Sequence, residues 1–257
     1  MMIGGDERLR EEQTVDEFKP WIKRYPGAGQ SSRAALVFPH AGGAALAYRA
    51  LGTALAAAGS DAYVMQYPQR GDRLTHPAPA TVEALAQELF AAGDWARVGP
   101  LHLFGHCMGA VTAFEFARVA ERNDVKVSAL WVSASEAPSA VATSPELPMA
   151  QAEILAEMVE LGGTDARLLD DDDFVELLLM AVRADYAAFN KYACGTDARI
   201  DADIHTLGGE RDHRVSEDML RRWEIHTNGA FTLSMFDGGH FYVNDATEDV
   251  AELINAL

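Results

Sequence analysis

One cysteine in this sequence lies in a setting that would make it a nucleophile. Residues 105–109 read Gly-His-Cys-Met-Gly, after an apolar run at 101–104 and before a helix-like stretch at 108–121. Glycines near the central residue permit a tight turn from strand to helix, which lifts the central side chain clear of a sheet. The pattern predicts a nucleophile elbow with Cys107 at its tip, where serine is the usual residue. A thiolate there would attack an acyl carbon and form a covalent intermediate.

The residues that would activate Cys107 follow in the order nucleophile, acid, base that is typical of such sites. A strand-like run at 204–207 precedes Asp212, and another at 231–236 precedes the segment Asp-Gly-Gly-His that ends at His240. We expect His240 to act as the general base that takes the thiol proton and later activates water. Asp212 would hold the imidazole in the correct tautomer and stabilise its protonated form.

Other residues compete for two of these roles. His213 is an alternative base, although it adjoins the predicted acid and precedes the last strand. Glu210 is close to Asp212 in the sequence, and Glu136 follows an earlier strand-like run, so either is an alternative acid. The sequence favours His240, in a glycine-rich loop after the last strand, and Asp212 in the loop after the preceding one.

Two backbone amides are candidates for stabilising the negative charge that develops on an acyl oxygen. Met108 begins the helix after the elbow, where the helix dipole favours negative charge. The strand-like run at 34–38 is followed by Pro-His-Ala-Gly-Gly at 39–43, and its two glycines let the backbone approach a ligand closely. We expect the amides of Ala41 and Met108 to form an oxyanion hole.

Strands and helices alternate around these candidate residues. The strand-like runs are at 34–38, 62–67, 100–104, 127–133, 202–207 and 231–236. The helix-like stretches are at 44–58, 81–92, 108–122, 216–226 and 246–256. The alternation predicts an α/β fold, with a mainly parallel central sheet and helices on both faces. A ligand site is then expected at the carboxyl ends of the strands, where all the candidates fall.

The region at about 138–195 departs from this alternation. It contains helix-like blocks at 150–161 and 172–192 without a convincing strand, and we interpret it as a helical lid over the nucleophile. Adaptable apolar residues in this region either line an acyl channel or form only the core of the lid. They are Met149, Met158 and residues 177–180. The polar segment 1–18 is expected to be mobile, and residues 19–257 to form one domain.

Composition and charge restrict the possible partners. The formal net charge of −18 argues against nucleic acid and anionic membranes, and no apolar run is long enough to span a bilayer. Cys107 and Cys194 are far apart in the sequence, so no structural disulfide is expected and a reducing cytoplasm fits best. The acidic run at 170–173 is interpreted as a helix start, and neither a metal nor a cofactor is predicted.

These motifs together resemble the type II (editing) thioesterases of polyketide and nonribosomal peptide assembly lines, which have the α/β-hydrolase fold. The resemblance extends from Trp21 to nearly the end of the chain. Six segments carry it in order: Trp-Ile-Lys-Arg-Tyr-Pro at 21–26, Phe-Pro-His-Ala-Gly-Gly at 38–43, Tyr-Pro-Gln-Arg-Gly-Asp-Arg at 67–73, Gly-His-Cys-Met-Gly-Ala at 105–110, Arg-Ala-Asp-Tyr at 183–186 and Gly-Gly-His-Phe at 238–241. The chain departs from the family pattern at Gln69 (usually glycine), Cys107 (usually serine) and Met180 (commonly proline).

The resemblance implies a hydrolase that removes stalled or wrong acyl or aminoacyl groups from the phosphopantetheine arm of acyl or peptidyl carrier proteins. Its triad would be Cys107, Asp212 and His240, with Ala41 and Met108 as the oxyanion donors. Because the substrate carries the phosphopantetheine, the resemblance implies no further cofactor. Three alternatives remain open: an acyltransferase or cyclase, a small-molecule ester or lactone hydrolase, and a non-catalytic carrier-binding protein.

Binding to a carrier protein poses an electrostatic problem for so acidic a chain, since carrier proteins are typically acidic as well. Recognition would then depend on local basic or apolar patches. The basic candidates are Arg70, Arg73, Arg183 and Lys191, although each one taken singly is more simply interpreted as an ordinary surface charge. A monomer is expected.

Overall fold

The computed structural model of the protein describes residues 18–28, 33–163 and 166–256. The segment predicted to be mobile, 1–18, lies outside these ranges except for its last residue. The strands are β1 (Ile22–Tyr25), β2 (Ala34–Phe38), β3 (Asp61–Met65), β4 (Leu101–His106), β5 (Val127–Ser133), β6 (Asp203–Gly209) and β7 (Phe231–Phe236). The helices are α1 (Arg49–Ala57), α2 (Val82–Phe90), α3 (Met108–Arg122), α4 (Pro138–Val141), α5 (Gln151–Leu161), α6 (Asp172–Phe189), α7 (Glu217–Arg221) and α8 (Thr247–Ala256).

Within the described ranges, the seven strands form one sheet in the order β1-β3-β2-β4-β5-β6-β7. β2 to β7 pair in parallel, and β1 pairs antiparallel to β3 at one edge. All six predicted strands are present, with ends shifted by two residues or fewer. The sequence did not predict β1, because this short edge strand has two basic residues and only one fully buried side chain.

Helices cover both faces of the sheet, as predicted. Successive strand residues point to opposite faces, so Leu36 of β2 packs with α2 and α3, whereas Val37 packs with α1 and α8. Two predicted helices are less regular than expected. The stretch at 44–58 begins with a 3-10 helix (Ala45–Tyr48), and the stretch at 216–226 ends with another (Arg222–His226).

Helices α4 to α6 lie between β5 and β6, in the region predicted to be a lid, and are called the α4–α6 insertion below. α6 ends at Phe189, three residues before the predicted end at 192. α5 and α6 share a small apolar core of their own, which includes Ile154, Val175 and Leu179. No helix in the described ranges is long and apolar enough to cross a membrane.

Candidate active site

Cys107 occupies a strained turn between β4 and α3. Its φ of 55° and ψ of −125° lie in a region that side chains other than glycine rarely adopt, at a cost of about 1–3 kcal/mol. Neighbouring structure imposes this conformation, since the amide of Cys107 donates to the carbonyl of Ser133 in β5 (2.9 Å). A Cβ at Gly109 would overlap the carbonyl oxygen of Phe38, so α3 begins directly against the end of β2. The half-buried thiol therefore stands at the carboxyl edge of the sheet.

The structure brings His240 and Asp212 together, in the loops that follow β7 and β6. Nδ1 of His240 lies 2.8 Å from Oδ2 of Asp212, and both side chains are almost completely buried. Oδ1 of Asp212 accepts hydrogen bonds from the amides of Arg214 (2.8 Å) and Val215 (3.1 Å). Backbone amides thus orient the carboxylate through Oδ1, which leaves Oδ2 to contact the imidazole.

The remaining nitrogen of His240 faces the nucleophile. Nε2 is buried and interacts with the thiol of Cys107, and the described residues offer it no conventional hydrogen-bond partner. Burial lowers the pKa of His240, but the hydrogen bond with Asp212 and the interaction with the nearby Cys107 thiol outweigh burial and raise that pKa to about 9. Burial raises the pKa of Cys107, but the interaction with His240, the charge of Arg214 and the Met108 backbone lower it overall. The site therefore favours a thiolate–imidazolium pair.

Asp212 remains ionised in this arrangement. Burial raises its pKa, but the hydrogen bond and charge of His240, together with the amides of Arg214 and Val215, lower it overall. A carboxylate held in this way stabilises the imidazolium of His240 and fixes Nδ1 as the protonated nitrogen. The geometry matches a nucleophile, a base and an orienting acid in series.

Both candidate oxyanion donors line the same cavity as Cys107 and His240. The backbone of Met108, the first residue of α3, interacts with the sulfur and contributes to the lowered pKa of the thiol. Ala41 lies in the loop that follows β2, residues 39–43, called the β2 loop below. The next amide in this loop, that of Gly42, donates a 2.8 Å hydrogen bond to Oδ2 of Asp185 in α6.

The cavity above the thiol has a volume of about 460 Å³. The loop between α4 and α5 and the end of α6 enclose it, with Leu147, Leu161 and Phe189 as apolar walls. The apolar residues that the sequence offered as a channel do not line it. Leu178, Leu179 and Met158 lie in the core shared by α5 and α6, while Met149, Leu177 and Met180 are exposed.

A sequence profile of the family described as "Thioesterase domain" matches residues 35–257. The chain belongs to this thioesterase family. It is therefore a hydrolase that acts on thioester bonds, as predicted.

Relatives of known name agree with this assignment. The thioesterase is 58% identical over 246 residues to the phenyloxazoline synthase MbtB of Mycobacterium tuberculosis, a match that covers 96% of this chain but only 17% of that synthase. It is 36% identical over 237 residues to the thioesterase PikA5 of Streptomyces venezuelae, covering 91% of this chain and 84% of PikA5. The solved structure of BorB, a type II thioesterase from the borrelidin biosynthetic cluster, superposes with a TM-score of 0.80 at 35% identity, over 93% of this chain and 98% of BorB. These matches confirm the α/β-hydrolase fold.

The carboxylate that contacts the imidazole of His240 is that of Asp212, and the alternative site residues have other surroundings. His213 and Glu210 are exposed. Glu136 lines the cavity, where its carboxylate accepts a hydrogen bond from Ser144. Their positions in the fold therefore distinguish these alternatives from Asp212 and His240, although the sequence alone left them open.

Two of the basic residues considered for carrier recognition are internal. Arg70 and Arg73 are 6% and 3% exposed, and pair with Asp185 and Glu88 respectively. The surface role considered for them is wrong, because both guanidinium groups are buried and each is paired within the chain, Arg70 with a buried carboxylate and Arg73 with a partly exposed one. Lys191 is exposed, and Arg183 is partly exposed.

No signal in the sequence links Arg70 with Asp185, although each lies in a motif that carried the family resemblance. A second unpredicted network reaches the acid loop, where the Arg214 side chain pairs with Glu157 of α5. The same carboxylate accepts a hydrogen bond from Tyr186 of α6 (3.1 Å). The α4–α6 insertion therefore contacts the loops on both sides of the nucleophile.

Two further features of the thioesterase bear on cofactors and redox state. Asp171 caps α6, accepting from the amides of Asp173 and Phe174, so the acidic run begins a helix. No group of three metal-binding side chains occurs among the described residues. Cys107 and Cys194 are both free thiols.

Proposed function

We propose that the thioesterase works through a covalent acyl-cysteine intermediate. The thiolate of Cys107 attacks the thioester carbon, a new S–C bond forms, and the amides of Ala41 and Met108 stabilise the resulting oxyanion. As the substrate C–S bond breaks, protonated His240 gives its proton to the departing thiol. Neutral His240 then takes a proton from water, whose oxygen attacks the acyl carbon and regenerates Cys107, while Asp212 orients the imidazole throughout.

One observation carries this proposal: a thiol, an imidazole and a carboxylate stand in series at the carboxyl edge of the sheet, at the base of a cavity that the α4–α6 insertion partly covers. The elbow makes the sulfur accessible to that cavity, and the electrostatics of the site favour its nucleophilic form. The α4–α6 insertion would serve as the lid that excludes water from the acyl group. A cavity of about 460 Å³ has room for a short acyl or aminoacyl group.

The substrates in this proposal are acyl or aminoacyl groups on the phosphopantetheine arms of carrier proteins. The role is editing in polyketide, nonribosomal peptide or siderophore biosynthesis, by a cytoplasmic monomer without a cofactor of its own. Support comes from the six motifs in order and from the likeness to BorB, whose name describes it as a type II thioesterase. With Arg70 and Arg73 internal, Arg183 and Lys191 are left from the initial set for contact with an acidic carrier.

Intact-protein mass spectrometry tests the proposal. The protein is mixed with acetyl, aminoacyl and longer acyl thioesters of pantetheine, and both bound acyl mass and free acid are followed over time. We expect a transient acyl adduct on the native chain, none on Cys107→Ala, and a persistent adduct on His240→Ala if that variant is acylated at all. Free acid formation without an adduct that depends on Cys107 would contradict the mechanism.

The same experiment separates thioester hydrolysis from its alternatives. Aryl esters without a pantetheine arm, hydrolysed as fast as the thioesters, would indicate a general esterase. No adduct and no free acid at any acyl length would indicate a carrier-binding protein without catalysis.

The cysteine itself favours acyl transfer as a second candidate function. Attack by Cys107 exchanges one thioester for another, so the acyl-enzyme keeps a driving force that an ester on serine would lose. That energy is available for transfer to an amine or a hydroxyl. Product analysis with and without an added amine, on the native chain and on Cys107→Ser, distinguishes the two functions. Transfer products that vanish in Cys107→Ser would support acyl transfer, and an unchanged product ratio would exclude a special role for the thiol.

A further inference from the structure

The β2 loop presses closely against the α4–α6 insertion. Gly42 adopts a φ of +76°, in the left-handed region, and a Cβ there would overlap the side chain of Val182 in α6. One turn further along the same helix, Asp185 accepts the 2.8 Å hydrogen bond from the Gly42 amide. The residue that follows Ala41 is therefore fixed by a helix whose contact residue lies 143 positions away in the sequence.

Asp185 is itself held by a buried arginine. Nη1 and Nη2 of Arg70 donate 2.7 Å hydrogen bonds to the two carboxylate oxygens, and the two side chains are 6% and 5% exposed. Arg70 also donates from Nη1 to the carbonyl of Gly43 (3.4 Å) and from Nε to the carbonyl of Pro68 (2.9 Å). A bidentate pair of this kind fixes direction as well as distance. The pair joins α6, the β2 loop and the 67–73 loop at one point.

We propose that Asp185, held by Arg70, positions the β2 loop so that the amide of Ala41 meets the oxyanion. The inference rests on the proposed function, because it assumes that Ala41 is one of the two donors. Neither Asp185 nor Arg70 lines the cavity, so both act through the backbone and are positioning residues. The complete oxyanion hole then exists only while α6 is seated on the β2 loop.

The substitution Asp185→Asn tests this inference with little change in shape. It removes the charge that holds Arg70 and weakens the acceptor for the Gly42 amide. Arg70→Lys keeps the charge but loses the two-pronged contact, so its effect should be smaller in the same direction. Since loss of a whole oxyanion donor costs about 10²–10³-fold in kcat, we expect about 10–100-fold for Asp185→Asn, with KM changed by less than about 3-fold.

A matched control is available in the same loop. Arg73 is as deeply buried as Arg70, but it pairs with the partly exposed Glu88 of α2 and not with the residue that holds the Gly42 amide. Glu88→Gln should therefore lower the melting temperature without changing kcat. Melting curves and circular dichroism of all three variants show whether each is folded at the assay temperature.

A readout that does not depend on turnover isolates the oxyanion hole. An acyl trifluoromethyl ketone is attacked by Sγ of Cys107 to form a hemithioketal, with the thiol proton passing to His240 and the carbonyl oxygen becoming an oxyanion. Its dissociation constant, followed by ¹⁹F NMR, should rise about 10-fold or more in Asp185→Asn, in line with the loss of an oxyanion contact. Alkylation of Cys107 by iodoacetamide creates no oxyanion on the reagent and should change by less than about 2-fold.

These measurements separate failure of the inference from failure of the proposed function. A folded Asp185→Asn that binds the ketone as tightly as the native chain would overturn the inference, as would equal losses in ketone binding and alkylation. The proposed function fails instead if the native chain releases no acid from any thioester, and the ketone measurement still decides the role of Asp185 in that case.

Discussion

The two sides of the acyl carbon are built in different ways in this protein. On the nucleophile side, β4, the elbow and α3 are consecutive in the chain, and Cys107 is fixed by a sheet hydrogen bond to β5. On the opposite side, the β2 loop reaches its position through Asp185, which belongs to a separate insertion, and Arg70, which is 115 residues from Asp185. The first side is set by local chain geometry, and the second by a buried charge pair.

This difference predicts different modes of failure. Backbone crowding should destroy the nucleophile side together with the fold, because α3 is packed on β2 without space for another atom. Charge removal should damage the β2 loop while the sheet survives. Both sides would have to be in place for catalysis, and Asp185 makes the position of the β2 loop depend on α6.

The largest effect is expected from Gly109→Ala. The added Cβ would overlap the carbonyl oxygens of Phe38 and Pro39, at the end of a central strand where neither can move away. We expect a loss of about 4–5 kcal/mol or more in the free energy of unfolding, together with loss of activity. Urea denaturation measures it, and Ala110→Gly in the same turn is the matched control. A stable, active Gly109→Ala would show that the elbow is less constrained than its geometry indicates.

The next largest effect is expected at the Arg70–Asp185 pair, where substitutions should distinguish loss of stability from loss of activity. Arg70→Met leaves Asp185 buried without a counter-charge, and should lower the free energy of unfolding by about 3–5 kcal/mol. The double substitution with Asp185→Leu removes both charges and should recover most of that stability, to within about 2 kcal/mol of the native chain. Because the Gly42 amide then lacks its acceptor, kcat should stay low. Recovery of kcat along with stability would mean that the pair serves folding alone.

A smaller effect concerns ionisation on the nucleophile side. The lowered pKa of Cys107 depends on His240, whereas burial acts in the opposite direction. His240→Ala should therefore move the midpoint of the pH–alkylation curve to higher pH, measured with iodoacetamide in a Cys194→Ala background. In the native enzyme, turnover should rise through the pKa of Cys107 and fall as pH passes about 9, where His240 loses the proton needed by the departing thiol. Asp185→Asn should leave the alkylation midpoint in place.

The smallest effect is expected from an exposed ion pair beside the acid and base loops. Arg211 and Asp237 are paired but 64% and 78% exposed, so Asp237→Asn should change the free energy of unfolding by less than about 1 kcal/mol. The loops are joined instead by backbone hydrogen bonds, from Glu210 to Phe236 and from Arg211 to Gly238 (both 2.8 Å). A large loss of stability or of kcat in Asp237→Asn would show that the ion pair, and not the backbone hydrogen bonds, holds the two loops together.

The sequence alone determined most of the architecture. Alternation of apolar runs and amphipathic stretches predicted six of the seven described strands and both helical layers. Strands buried on both faces are continuous apolar runs, and helices buried on one face repeat every 3.6 residues. The elbow and the Asp-Gly-Gly-His loop could be predicted because the residue types of a short motif reflect its local backbone geometry. Among the described strands β1 was missed, since a short edge strand needs little burial, and the one-turn helix α4 was not predicted either.

Tertiary structure decided how the site is completed. Nothing in the sequence shows that Arg70 and Asp185 are partners, or that Glu136 faces the cavity. Motif order favoured Asp212 as the partner of His240, and the structure places the two side chains in contact. Side chains that meet across 115 residues leave no periodic signal, because their pairing depends on where two loops and a helix finally pack. A buried charge requires an oppositely charged partner, but the sequence does not indicate which residue provides it. The sequence therefore specified the chemical groups and the edge of the sheet on which they stand, and packing against α6 specified the position of the β2 loop beside them.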